Sequence, residues 1–147
     1  MGYMANIGHQ KDSIPGFVNW VEGSNGGGTL MTQTKNYHYR WILQPNMNNC
    51  GAMYAYGMSP SPKNDHIHDS TENKKEIAQH YNELCKQLGK ITNFWTIQFS
   101  YSDPQEKLRL SLLPEYLENA VFVKGRSNDR SEYSTFVTVT TGVKKNG

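Results

Sequence analysis

Between residues 70 and 89 apolar side chains recur at helical spacing. Ile77, Tyr81, Leu84 and Leu88 fall on one stripe, and Ala78 and Cys85 widen it. Asp69 or Ser70 is placed to cap the first amides, Glu72 follows Asp69 at capping-box distance, and Gly89 is the expected stop. A lone amphipathic helix cannot bury its stripe by itself, so the rest of the chain has to supply the surface that covers it.

That surface is visible as alternating runs. In YHYRWILQ, Tyr37, Tyr39, Trp41 and Leu43 share one side while His38, Arg40 and Gln44 share the other, which is the pattern of a half-buried strand. PNMNN is turn chemistry, and CGAMYAYG returns as a partner strand. Pro60 and Pro62 exclude MSPSPKND from a helix or a strand interior. NFWTIQFSY after the helix alternates Trp95, Ile97, Phe99 and Tyr101 with Phe94, Thr96 and Gln98. In DPQEKLRLSLLPEYLEN, Asp103 caps, Pro104 opens and Pro114 splits a short helical stretch. AVFVKG and SEYSTFVTVTT close the chain as two β-rich runs.

The order ββαβαββ predicts an α+β fold: a mostly antiparallel sheet of about five strands packed against one long helix and a short one. Residues 1–35 carry little periodicity, and EGSNGGGT reads as a flexible link. They are expected to form a flexible N-terminal arm on a single α+β domain over 36–147. Within the arm, IPGFVNWV is apolar enough to dock as a short strand on its own chain or a neighbour's.

Composition narrows the function classes. Hydrophobic residues are only 36% and mean hydropathy is −0.72, but a net charge of +2 is far from the high charge that accompanies disorder. Aromatics at 12% supply core area in place of aliphatic side chains. The same small charge disfavours duplex nucleic acid, which wants a clustered basic face. Cys50 and Cys85 read as free thiols of a reducing compartment. No signal-peptide core or membrane-length apolar run occurs, which predicts a soluble, cytoplasmic protein. One good helix leaves the second sheet face rich in Tyr and Trp, and burial against a second copy is the expected remedy, a homo-oligomer.

Chemistry concentrates in KNDHIHDSTENKKE, residues 63–76. His66 and His68 stand one residue apart between Asp65 and Asp69, and the helix adds Glu72, Glu76 and His80 at intervals of four. No finger-spaced ligand pair completes a metal site there, so none is assigned. The expectation is a pocket beside the 54–72 segment for a small polar or nucleoside-like metabolite. Tyr54 and Tyr56 would be stacking faces, and Asp69, Ser70 and His80 ligand contacts. His66 and His68 would serve as acid or base, with Glu72 and Glu76 as orienting or electrostatic groups, should the protein be an enzyme. The GGG run is not followed by Gly-Lys-Ser/Thr, and the cofactor is left unknown. Two alternatives stand beside this reading. One is a non-catalytic protein-binding or inhibitor module using an aromatic sheet face. The other is a weak single-stranded nucleic-acid binder using Lys124, Arg126, Arg130 and Tyr133.

Overall fold

The computed structural model describes residues 4–48, 51–57, 60–92, 94, 96–101, 120–123 and 135–140. The short helix expected over 103–119, the 124–133 basic-aromatic group and Cys50 lie outside them. The described elements are α1 (Ala5–His9), β1 (Phe17–Glu22), β2 (Gly28–Gln33), β3 (Tyr37–Pro45), β4 (Ala52–Gly57), β5 (Ser61–Pro62), α2 (Thr71–Thr92), β6 (Thr96–Tyr101), β7 (Ala120–Val123) and β8 (Thr135–Thr140). Among these residues eight strands form one mixed sheet in the order β1-β2-β3-β4-β6-β8-β7, with β5 paired to β3. Every pairing is antiparallel except β4 with β6, so the fold is α+β.

The alternation in β3 does what its period requires. Tyr37, Tyr39, Trp41 and Leu43 are buried toward α2, while His38, Arg40 and Gln44 are exposed on the opposite face. Across the layer α2 contributes Ile77, Tyr81, Leu84, Cys85, Leu88 and Ile91. Tyr81 meets Trp41 edge-on at 4.7 Å between ring centroids, and Tyr39 stacks over Trp41 at 6.2 Å. Burial of each large side chain stabilises the layer by about 1.5–3 kcal/mol. Aromatic area thus supplements an otherwise aliphatic core.

α2 begins one residue later than a cap at Asp69 would place it. Ser70 is the cap: its Oγ accepts from the amide of Asn73 at 3.1 Å, and Asn73 Nδ2 donates back to the His68 carbonyl. Glu72 therefore misses the capping-box position. At the other end Gly89 does not stop the helix, which runs to Thr92. Ile91 is 4% exposed, and Asn6 of α1 donates to its carbonyl at 2.8 Å. These contacts outweigh the roughly 1 kcal/mol that glycine costs inside a helix.

Residues 4–33 differ most from expectation. They are not a loose arm: β1 and β2 continue the sheet from β3, and Met4, Ile7, Ile14 and Leu30 join the core. The glycine run is a packing device. Gly26 holds φ at 77° in the β1–β2 turn, and a β-carbon on Gly28 would lie 2.4 Å from Cη2 of Trp20. Only hydrogen fits under that ring. No helix among the described residues is long and apolar enough to cross a bilayer.

Candidate functional site

The one parallel pair sets the geometry. The β4/β6 ladder pairs Ala52 with Thr96, Met53 with Ile97, Tyr54 with Gln98 and Ala55 with Phe99, and ends there among the described residues. Both strands continue. Tyr56 and Gly57 stay paired to Ile42 and Trp41 of β3, while Ser100 and Tyr101 stay paired to Phe136 and Thr135 of β8. The sheet therefore forks at the carboxyl ends of two parallel strands. Crevices at such ends, where strand direction and order switch, are where open sheets receive ligands.

A register offset falls at the same place. β3 pairs Trp41 with Gly57 and His38 with Ser61, so the register shifts by one residue between the two ladders. The first turns of α2 lie at this end too. Asn36, just before β3, bonds Asn73 and Glu76 of the helix, and Tyr37 at the start of β3 pairs with Pro62.

Tyr54 and Tyr56 border the fork. Tyr54 is opposite Gln44 and Gln98, on the sheet face away from α2, and its ring lies 6.0 Å from that of Tyr56. Burial, and then the neighbouring Tyr54, raise the Tyr56 phenol above its ordinary pKa. Below them Asn46 Nδ2 donates to Gln98 Oε1 at 3.1 Å.

The other residues singled out from the sequence separate into two places. His66, His68, Asp69, Ser70 and Glu72 are exposed on the bend and first turn leading into α2, at the fork end of the sheet. Glu76 and His80 face the sheet from within the helix layer, so the sheet stands between them and Tyr54/Tyr56. The Glu76 carboxylate accepts from Thr34 Oγ1, from the Asn36 amide at 3.0 Å and from Asn36 Nδ2 at 2.8 Å. Burial alone would raise its pKa, but those bonds and the charge of Lys35 outweigh burial and lower it. His80 is 4% exposed, lies 4.3 Å from the Tyr39 ring and bonds Thr32 Oγ1 through Nε2 at 2.8 Å. Burial pushes its pKa down to about 4, so it is a neutral imidazole. Among the described residues no three His, Cys, Asp or Glu side chains converge as a metal site. Cys85 is a buried free thiol whose pKa is raised by burial, an unreactive packing residue.

Sequence reading did not single out Thr32, Thr34 or Asn36 as partners of α2. A signal existed: Leu30 and Thr32 alternate with Thr29 and Met31, a short strand pattern obscured by the glycines before it.

No protein-family model matches the chain, and no curated protein matches its sequence. Among solved structures the arrangement is similar to that of a spermidine N-acetyltransferase chimera from Vibrio cholerae and hSSAT. The TM-score is 0.46 and the identity 12%, over 80% of this chain and 69% of that one.

Proposed function

We propose that the chain binds a small molecule in the fork between β4 and β6 and acts on it as an enzyme. The observation that carries this reading is the ladder that ends at Ala55 and Phe99 while both strands run on. Diverging strand ends offer main-chain N–H and C=O groups on both sides of a gap. An extended ligand with amides of its own satisfies them as an inserted strand would. Among metabolites, the pantetheine arm that carries acyl groups as thioesters has that linear, amide-bearing form. Transfer of an acyl group from the thioester sulfur to an amine or hydroxyl is the reaction class this shape favours. Tyr54 and Tyr56 would border the second reactant on the open face. His66, His68, Asp69, Ser70 and Glu72 would edge the mouth.

The protein-binding alternative draws no support from β3, whose Tyr37, Tyr39 and Trp41 are each 1% exposed.

Thermal melts and calorimetric titrations with acetyl-coenzyme A, coenzyme A and adenosine test the proposal. Acetyl-coenzyme A should raise Tm, because a ligand of the native state alone stabilises it by mass action. Tyr56→Ala should weaken the shift. A response to adenosine alone would move the reading to a nucleoside ligand, and no response to either thioester or coenzyme A would sink it.

A further inference from the structure

α2 is fastened differently along its two halves. The second half buries Leu84, Cys85, Leu88 and Ile91 and is held at its end by Asn6. The first half buries Ile77, Ala78 and Tyr81, and polar bonds to Thr32, Thr34 and Asn36 add to its attachment. In the Thr34 chain the donor directions follow from counting protons: Thr34 has one hydroxyl proton and gives it to Glu76, so the Tyr39 hydroxyl, 3.0 Å away, donates to Thr34. Thr32 accepts from Trp41 Nε1 at 3.1 Å and bonds His80 Nε2 at 2.8 Å, with the direction of that bond set by the imidazole tautomer. Both chains end on a titratable group of the helix, Glu76 accepting as a carboxylate and His80 standing as a buried neutral ring.

We propose that these two chains form an acid-releasable latch, which holds the first turns of α2 at the mouth of the fork and lets them swing free as the solution acidifies. It rests on the fork reading only for what it admits; the latch itself is a property of the empty protein. The groups facing its acceptors are Tyr37 and Tyr39 from β3, Lys35 from the turn before it, and Glu76 and His80 toward each other on α2. Protonating Glu76 removes its charge and turns one of its two acceptor oxygens into a donor, which weakens its bonds to Thr34 and Asn36. Protonating His80 places a full charge on a ring that is buried between Tyr39 and Thr32.

The sign of the response follows from burial. Closed, His80 titrates at about 4; released, it returns to its ordinary 6.5, so the open form takes up the proton first. Between those values the open-to-closed ratio approaches a tenfold rise per pH unit, and it amounts to roughly 40-fold for a drop of about two units below pH 6.5, where the open form is already half protonated. Glu76 adds to this below its own ordinary value.

Amide hydrogen exchange on the full chain, corrected for intrinsic rate, tests the latch. Acidification from about pH 6.5 by two units should cut protection of amides 74–81 by roughly 40-fold and leave 85–92 within about threefold. His80→Phe should flatten that response. Equal loss in both halves, no loss in either, or a His80→Phe chain that keeps the slope would overturn the proposal. If that variant does not fold, the indole Nε1–H resonance of Trp41 decides in the native chain. It should move with the exchange transition, and a resonance fixed through it refutes the latch. No ligand enters these measurements, so their failure is separate from failure of the thioester titrations.

Discussion

The bend at 63–70 and the cluster of Thr32, Thr34, Glu76 and His80 contain much the same chemistry, and the fold treats them in opposite ways. In the bend the imidazoles are exposed, and past Lys63, whose N–H donates to the Asn36 carbonyl, the bonds are local: His66 N–H to Asn64, Ser70 N–H to the His68 carbonyl, Asn73 to the same carbonyl. Water can replace any of them at little cost. In the cluster the bonds join residues 40 to 48 positions apart, and several of the atoms are withdrawn from solvent. There a lost partner leaves a polar group stranded, so each member matters more. Local density of polar residues in a sequence is thus a weak guide to energetic importance. Convergence across the fold is a strong one.

Substitutions can break or sharpen this contrast. The largest expected effect is His80→Ala, which removes a buried ring from beneath Tyr39 and the hydrogen-bond partner of Thr32. It should cost about 3 kcal/mol in urea unfolding; a loss below about 1 kcal/mol would show that the cluster is not a buried network. Next comes pH. His80 is depressed in the folded chain, so its contribution is complete above about pH 6.5 and is lost as pH falls toward about 4. Two pH units of acidification should therefore remove roughly 2 kcal/mol, and the loss should disappear in His80→Phe. Ser70→Ala leaves the Asn73 amide without its cap and should cost about 1 kcal/mol by the same unfolding assay. Smallest is the bend itself: the double change His66→Ala and His68→Ala should stay within about 0.5 kcal/mol. A larger loss would place the bend on an equal footing with the cluster. An effect on thioester affinity alone would assign it to the mouth of the site.

Much of the architecture could be read from periodicity. The stripe Ile77, Tyr81, Leu84, Leu88 and the alternation Tyr37, Tyr39, Trp41, Leu43 both describe surfaces one element long, and both face each other in the core. The parallel β4/β6 pair was also within reach, since a strand, a long helix and another strand usually return in parallel. The N-terminal strands were harder. Gly26 and Gly28 look like freedom in a sequence, whereas one serves a positive φ and the other the approach of Trp20. The site was least legible. Tyr54 and Tyr56 were singled out for their rings, but nothing local to them marks the point where two strands part.

From the amino-acid order alone come β3, β4, α2 and the β-rich runs after it, the faces that β3 and α2 bury, and the α+β class, because those depend on side-chain spacing within a few turns or pleats. Strand neighbours, the fork after Ala55, and the meeting of Thr34 and Asn36 with Glu76 were decided only when distant segments packed. Such contacts are selected by the summed burial and hydrogen bonding of the whole layer, and no short window contains that sum.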